Sequence, residues 1–201
     1  NYIELKESLL KENVEFHTDR DTEVILRLYE KYGIDMIGYL EGMYAISIVD
    51  KTNRKTYLIR DRFGIKPLYY SWANTEQFAY GSEVKPLLRM PFISKKIRTE
   101  SVADFITYEY IHAPYTIFED VKKVLPGHYI VLDAEGVGDF EYWDCAKIKI
   151  NENLGEEQCK TQTVNLLRES LKLHLRRIGD AKPGVFLSGG IDSGLITALA
   201  S

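Results

Sequence analysis

Residues 43–60 read MYAISIVD, KTNR and KTYLIR in succession, so two apolar stretches flank a short polar one. Branched and aromatic residues favour strands, and a polar connection of this length favours a hairpin. Helical periodicity precedes the hairpin at residues 2–11 and 24–29, and short apolar stretches typical of strands follow it at 78–82 and 129–132. Helices followed by consecutive antiparallel strands predict an α+β domain in which helices cover a sheet, rather than a βαβ repeat.

A second informative stretch, residues 185–194, reads VFLSGGIDSG near the other end of the chain. Its apolar start predicts a buried parallel strand, and the pattern of residues 195–199 predicts a helix after the glycine pair. Loop amides and a helix amino terminus favour an anion, and glycines allow close approach of the backbone. Ser188 and Ser193 add hydroxyl donors. The stretch therefore predicts a phosphate site, although no lysine follows the glycines as in the GxxxxGK[ST] loop.

Asp192 is the acidic residue of this stretch, and phosphates would repel it unless a cation lay between them. We therefore expect it either to bind Mg²⁺ beside the phosphates or to cap the helix. The alternative for the whole stretch is an ordinary turn from strand to helix, with Asp192 or Ser193 in the capping position. The residues alone leave both interpretations open.

The composition restricts the class of protein. The 201 residues carry a formal net charge of −4, with 45% hydrophobic and 28% charged residues and no long basic block. These values indicate a globular protein whose partners are neither nucleic acids nor membranes. No apolar stretch approaches the ~20 residues that a membrane span needs. Cys145 and Cys159 lack CxxC spacing, which favours free thiols and a cytoplasmic location.

The SGGxDS form of residues 188–193 resembles the pyrophosphate-binding loop of the N-type ATP pyrophosphatases. Four upstream segments carry a second resemblance when they are taken in order. They are DTEV at 21–24, LEGMYA at 40–45, RDRFGIKPLYY at 60–70 and SEVK at 82–85. Together they are similar to the class II glutamine amidotransferase domain of the glutamine-dependent asparagine synthetases. The loop downstream of that domain selects this family among the pyrophosphatases.

This resemblance implies an N-terminal nucleophile hydrolase fold, an αββα sandwich, followed by the beginning of an α/β parallel-sheet ATP pyrophosphatase domain. It places a glutaminase domain at 1–144, a linker at 145–156 and the start of a synthetase domain at 157–201. The chain begins within a helical pattern and stops inside the helix after the loop. We therefore expect an internal fragment that is inactive by itself, with the apolar side chains of 185–196 partly in water.

In that family an amino-terminal cysteine attacks the side-chain amide of glutamine, and the released ammonia displaces AMP from an aspartyl adenylate formed with ATP. The resemblance implies the same ligase reaction here, with glutamine, aspartate and ATP as substrates, Mg²⁺ as the metal ion and a homodimer as a compatible assembly. Residue 1 is asparagine, and neither Cys145 nor Cys159 matches the nucleophile. We therefore expect the chain to contain no catalytic residue.

The resemblance also implies binding residues. Asp21 matches the carboxylate that binds the α-ammonium group of glutamine, whereas its local sequence indicates the cap or first turn of a helix, and the two roles are compatible. The implied ligands of ATP and its pyrophosphate are Leu187, Ser188, Gly189, Gly190, Asp192 and Ser193. Of these, Leu187 would adjoin the adenine or ribose and Asp192 would bind the metal. Gly194 departs from the serine that is common at that position.

Residues 158–178 predict an amphipathic helix whose apolar stripe is formed by Val164, Leu167, Leu171, Leu175 and Ile178. Near the end of this helix lie three basic residues, Lys172, Arg176 and Arg177. They either face ATP phosphates or form a charged outer surface. The alternating residues 14–16 predict a short strand.

Two other functions remain open at this point. One is a β-lactam-synthetase-like or other amide-forming enzyme whose glutaminase domain is inactive. The other is a non-catalytic family member that binds a nucleotide or a partner protein. A cysteine after the initiator methionine of the full-length protein would favour glutamine-driven synthesis, and any other residue there would favour one of these two functions.

Overall fold

The computed structural model describes residues 1–74, 76–176 and 183–200. It divides into two compact units, Asn1–Ile148 and Lys149–Ser201, and each is described by itself. The first unit contains, in chain order, α1 (Tyr2–Lys11), α2 (Asp21–Tyr32), a 3₁₀ helix (Gly33–Tyr39), β1 (Ala45–Asp50), β2 (Lys55–Arg60), β3 (Tyr69–Asn74), β4 (Gln77–Gly81), α3 (Val84–Leu87), α4 (Thr99–Tyr108), β5 (Lys122–Lys123), β6 (His128–Asp133), β7 (Gly136–Glu141) and a second 3₁₀ helix (Cys145–Lys147). The second unit contains α5 (Glu156–Leu175) and α6 (Ile191–Ala200).

The predicted hairpin is confirmed as β1 and β2, which begin a four-stranded antiparallel sheet with the order β1-β2-β6-β7. Ile48 lies opposite Tyr57 in this pair. The carboxylate of Asp50 holds the connecting turn, because it accepts hydrogen bonds from the backbone and the side chain of Asn53 at 2.9 and 2.7 Å. It also accepts the Tyr29 hydroxyl at 2.8 Å, which ties the hairpin to α2.

A second, three-stranded antiparallel sheet has the order β4-β3-β5. The helices α1 and α2 and the first 3₁₀ helix pack on one face of the four-stranded sheet, around a core of Leu9, Val24, Leu28, Met36, Ile37, Leu40 and Ile59. The opposite face packs on the second sheet through Leu58, Leu68, Tyr70, Val124 and Ile130. The outer face of the second sheet is covered by α3 and the following loop through Leu87, Ile93 and Val121. This order of layers confirms the predicted αββα sandwich.

The prediction of a strand at residues 14–16 is wrong, since this segment is irregular. The Val14 N–H donates to the Leu9 carbonyl at 3.1 Å and so closes the end of α1. The Phe16 ring lies under the Lys6 ammonium group, which is 5.0 Å from its centroid. Both contacts go to α1, so the segment serves to end one helix and lead into the next.

The second unit reproduces the predicted apolar stripe. In α5 the half-buried side chains are Val164, Leu167, Leu171 and Leu175, whereas the rest of the helix is exposed. The helix α6 contacts α5. Lys172 is exposed and pairs with Glu169 at 2.7 Å, in agreement with a charged outer surface. Arg177 and Ile178, which belonged to the same prediction, lie outside the described residues.

The buried strand predicted at 185–187 is wrong, because residues 183–188 are irregular and exposed. Phe186 is 99% exposed and Leu187 is 62% exposed. A strand needs a neighbouring backbone to satisfy its N–H and C=O groups, and the regular elements described in this unit are two helices. The expectation that apolar side chains of this segment lie partly in water is confirmed.

Candidate functional site

Asp21 is the first residue of α2 and is exposed. Its Oδ1 accepts hydrogen bonds from the backbone N–H of Thr22 at 2.9 Å and from the Thr22 hydroxyl at 3.4 Å. Arg20, with an extended backbone, occupies the capping position. The sequence predicted Asp21 either as the cap of the helix or as a residue of its first turn. The structure places it in the first turn, where the helix dipole favours a carboxylate.

Glu23, two residues further on, has a role that the sequence reasoning missed. Its carboxylate accepts four hydrogen bonds, from the His17 N–H at 2.9 Å, the Thr18 N–H at 2.6 Å, the Thr18 hydroxyl at 2.7 Å and Arg27 at 3.2 Å. The Thr18 hydroxyl and the His17 N–H lower its pKa from the ordinary 4.5 to about 2. Glutamate at the third position of a helix often bonds backward to the preceding backbone, which is the signal that could have revealed it.

The segment before Asp21 is held from α1 as well. The Lys6 ammonium group donates to the Thr18 carbonyl at 3.0 Å and to the Asp19 carboxylate at 2.6 Å. Lys6 of α1 and Glu23 of α2 therefore both form hydrogen bonds with the segment 17–19. The position of Asp21 follows from this double attachment.

The Asp61 turn, residues 61–66, lies in the first unit and is built around a fully buried carboxylate. The Asp61 oxygens accept the backbone N–H groups of Tyr44, Phe63, Ile65 and Lys66 at 3.3, 3.2, 2.9 and 2.9 Å. Backbone N–H groups that are shielded from water need such acceptors. The side chain of Asp61 thus accepts three N–H groups of the turn and that of Tyr44, while the Gly64 N–H donates to the Asp61 carbonyl at 3.0 Å.

Arg60 satisfies the carbonyl groups of the same region. Its guanidinium donates to the carbonyls of Lys66, Gly64 and Val124 at 2.9, 2.7 and 2.6 Å. Burial lowers the pKa of Arg60. Gly64 has a φ of +63°, and a Cβ there would lie 2.9 Å from Cγ of Pro126. The side chains of Arg60 and Asp61 together therefore satisfy seven backbone groups in and around the RDRFGIKP segment.

Two further segments, around Gly127 and around Tyr142, converge on the Asp61 turn. The Gly127 N–H donates to the Asp61 carbonyl at 3.0 Å, and the Gly127 carbonyl accepts the N–H of Tyr142 at 2.9 Å. The Tyr142 hydroxyl donates to the Arg60 carbonyl at 2.6 Å and lies 2.9 Å from the Tyr44 hydroxyl. Burial raises the pKa of Tyr142 and of Tyr44. Tyr44 of the LEGMYA segment and Arg60 and Asp61 of the RDRFGIKPLYY segment thus belong to one packed structure.

Asn1 connects the start of the chain to the LEGMYA segment. Its amide nitrogen donates to the Tyr39 carbonyl at 2.9 Å, and its amide oxygen accepts the Glu41 N–H at 2.9 Å. This reciprocal pair fixes the amino end of α1 beside the end of the first 3₁₀ helix.

The predicted phosphate-binding residues share one loop in the second unit, whereas Asp21 belongs to the first unit. In the 188–193 loop, the hydroxyls of Ser188 and Ser193 lie 3.0 Å apart, and Ser193 also donates to the Gly190 carbonyl at 3.2 Å. Asp192 is exposed in the first turn of α6. Both Asp192 and Ser193 lie inside the helix, which begins at Ile191, so neither occupies the predicted capping position.

Gly189 has a φ of +82°, a backbone conformation that favours glycine. Within the described chain, a Cβ built at Gly189 would meet no heavy atom within 4 Å beyond its immediate neighbours. Glycine is therefore required here by its backbone angle, and the space beside it is open. Exposed hydroxyls, open space and a helix amino terminus are the features expected of an anion-binding loop.

The described residues, 1–74, 76–176 and 183–200, contain neither a cluster of metal-binding side chains nor a helix that could cross a membrane. Within them no cluster of three or more His, Cys, Asp or Glu side chains is arranged to hold a metal ion. Within the same residues, no helix has both the length and the apolar character needed to cross a membrane.

Comparison with protein families gives two matches in order along the chain. Residues 1–143 match the family described as a glutamine amidotransferase domain. Residues 162–201 match the family described as asparagine synthase.

Comparison with curated proteins gives relatives over the whole chain. A putative glutamine-hydrolysing asparagine synthetase 2 of Methanocaldococcus jannaschii is 36% identical over 206 residues, covering 99% of this chain and 38% of the relative. Glutamine-hydrolysing asparagine synthetase 1 of Bacillus subtilis is 35% identical over 200 residues, covering 100% of this chain and 31% of the relative. The chain thus spans 31–38% of the length of these two relatives.

Among solved structures, the chain resembles the glutamine phosphoribosylpyrophosphate amidotransferase of B. subtilis complexed with ADP and GMP. The TM-score is 0.48 at 20% sequence identity, over 75% of this chain and 28% of that protein.

Proposed function

The chain belongs to the glutamine amidotransferase domain family, and from this premise we propose that it is part of a glutamine-hydrolysing asparagine synthetase. The observation that carries the proposal is the order of the two family matches, with the amidotransferase at 1–143 and asparagine synthase at 162–201. The whole enzyme would transfer the amide nitrogen of glutamine to the side chain of aspartate. It would use ATP to activate that carboxylate as an acyl-adenylate.

Within this enzyme, residues 1–144 would belong to the glutaminase domain, 145–156 to a linker and 157–201 to the start of the synthetase domain. The division of the structure after Ile148 and the start of α5 at Glu156 support this assignment. The dense network around the Asp61 turn has the character of a scaffold, because its polar groups bond within the protein.

In the glutaminase domain, Asp21 would bind the α-ammonium group of glutamine. An exposed carboxylate on a firmly held segment suits this role, because a fixed anion attracts a cation with little reorganisation. The amino end of α2 is also a favourable place for a carboxylate, because the helix dipole is positive there. Its position in the first turn of α2 is compatible with binding.

In the synthetase domain, the 188–193 loop would hold the pyrophosphate part of ATP. The open space beside Gly189 and the hydroxyls of Ser188 and Ser193 support this assignment, and Gly190 would join them through its backbone. The exposed Asp192 suits Mg²⁺, which prefers carboxylate oxygens and would neutralise charge on the phosphates. Leu187 is exposed before the loop and offers an apolar contact for the adenine or ribose.

The test uses the whole enzyme with ATP, Mg²⁺ and aspartate, and with either glutamine or ammonium as nitrogen donor. We expect asparagine with both donors, and release of pyrophosphate only when aspartate is supplied. Pyrophosphate release with a different carboxylate in place of aspartate would indicate another amide-forming enzyme. Binding of ATP without turnover would indicate a non-catalytic member, and either result would contradict the proposal.

A further inference from the structure

We infer that Glu23 is a positioning residue for the glutamine site, because its carboxylate fixes the segment 17–20 that leads into Asp21. The inference rests on the proposed binding of glutamine by Asp21. It divides the two carboxylates at the start of α2 into different roles. Asp21 would face the substrate, while Glu23 holds the backbone that carries Asp21.

The hydrogen bonds of Glu23 run mainly backward along the chain, away from the helix interior. Three of its four hydrogen bonds go backward along the chain, to the N–H groups of His17 and Thr18 and to the Thr18 hydroxyl. Its side chain is only 10% exposed, although it lies in the first turn of a surface helix. Glu23 therefore bonds inside the protein and is not available to a ligand.

The backbone that Glu23 binds lies only a few residues before Asp21. Three residues separate His17 from Asp21, and the Thr18 hydroxyl, itself bound by Glu23, also accepts the Arg20 N–H at 3.4 Å. Lys6 binds the Thr18 carbonyl and the Asp19 carboxylate from α1. A movement of this segment would therefore be transmitted directly to the first residue of α2.

Glu30 on the same helix shares one partner with Glu23 but lies far from Asp21. Glu30 is half-exposed and binds Arg27 at 2.9 Å, as Glu23 also does at 3.2 Å. Glu30 lies more than two turns away from Asp21 along α2, so it does not hold the segment 17–20. The pair offers a matched comparison in which one glutamate touches that segment and the other does not.

The experiment replaces Glu23→Gln in the whole enzyme and compares glutamine-dependent with ammonium-dependent asparagine formation. The amide keeps the size of the side chain but removes one acceptor and turns an NH₂ group toward a backbone donor. A displacement of about 1 Å in a binding group can cost about a hundredfold in rate, so we expect KM for glutamine to rise about tenfold or more. Turnover with ammonium should stay unchanged.

Glu30→Gln is the control, and it should leave KM for glutamine unchanged. Thr18→Val is a second variant that removes one bond of Glu23 and keeps its backbone bonds, for use if Glu23→Gln does not fold. It should raise KM for glutamine by less than Glu23→Gln does. An unchanged KM in the folded Glu23→Gln or Thr18→Val enzyme, or an equal loss with ammonium, would overturn the inference. A wild-type enzyme that forms no asparagine with either donor would instead overturn the proposed function.

Discussion

The Asp61 turn and the 188–193 loop are both short, glycine-bearing segments, but their polar groups are satisfied in different ways. In the Asp61 turn, one buried carboxylate accepts four backbone N–H groups, and Arg60 donates to three carbonyls. In the 188–193 loop, the hydroxyls of Ser188 and Ser193 bond to each other, and the Ser193 hydroxyl also bonds to the Ser188 N–H and the Gly190 carbonyl, while most residues of the loop are exposed.

The glycines of the two segments differ in the same way. A Cβ at Gly64 in the Asp61 turn, or at Gly127, which bonds to that turn, would collide with neighbouring atoms, whereas one at Gly189 would enter open space. The comparison shows that similar sequence signals, glycine beside polar residues, can mark either a packed scaffold or a surface open to a ligand. We expect substitutions in the first segment to change stability and substitutions in the second to change binding.

The largest effect is expected for Asp61→Ala. This change removes the buried carboxylate that accepts four backbone N–H groups, and each lost partner costs about 1–3 kcal/mol, so we expect a loss of about 4 kcal/mol in the free energy of unfolding. Asp192→Ala is the control in the 188–193 loop, and it should change the free energy of unfolding by less than about 0.5 kcal/mol. Urea unfolding followed by far-ultraviolet circular dichroism measures both variants, because it reports the helices of both units, whereas Trp72 and Trp143 lie in the first unit and their fluorescence follows that unit. Equal losses in the two variants would contradict the distinction.

A smaller effect is expected for Gly127→Ala. Its Cβ would lie 2.2 Å from the Trp143 carbonyl oxygen at a φ of +68°, so the backbone must move, at a cost of about 3 kcal/mol. Gly189→Ala has a similar φ but open space, and only the conformational cost of about 1 kcal/mol applies. Thermal unfolding of the two variants compares them. A Gly189→Ala variant as unstable as Gly127→Ala would show that the loop is packed after all.

The smallest effect concerns acid. Hydrogen bonds hold the pKa of Glu23 at about 2, below its ordinary 4.5, and that of Asp50 at about 2, below its ordinary 3.8. A lowered pKa in the folded state means that the stabilisation is fully present above the ordinary value and is lost as the pH falls toward the lowered one. We expect the urea midpoint of the first unit to fall between about pH 4.5 and about pH 2. The double variant Glu23→Gln, Asp50→Asn should show a shallower fall, and an identical slope would refute these assignments.

The sequence was sufficient for features that depend on nearby residues. The hairpin at 43–60 and the apolar stripe of α5 follow from local periodicity and were predicted from it, whereas the αββα layers were implied by the resemblance of the motifs to a known family. The network at the Asp61 turn could not be derived in this way, because Tyr44, Gly127 and Tyr142 reach it from distant parts of the chain. The signal of Glu23 was visible in its helix position, but its partners lie in a segment without periodicity.

The wrong predictions have the same physical origin. Residues 14–16 alternate as a strand does, but they bond to the end of α1. Residues 185–187 are apolar like a buried strand, but a strand also requires a neighbouring backbone, which no local pattern supplies. Apolar character therefore predicts what a segment would bury, and the rest of the structure decides whether it is buried.

We propose separate roles for two carboxylates, with Asp21 binding the nitrogen donor glutamine and Asp192 taking part in the synthetase reaction. The direct measurement is asparagine formation by the whole enzyme with glutamine and with ammonium, in the variants Asp21→Ala and Asp192→Asn. A lost charged contact of about 1.5–3 kcal/mol predicts that Asp21→Ala loses roughly ten- to a hundredfold with glutamine and keeps its activity with ammonium. Asp192→Asn should lose activity equally with both donors. An equal loss with both donors in Asp21→Ala, or undiminished turnover in Asp192→Asn, would contradict the account.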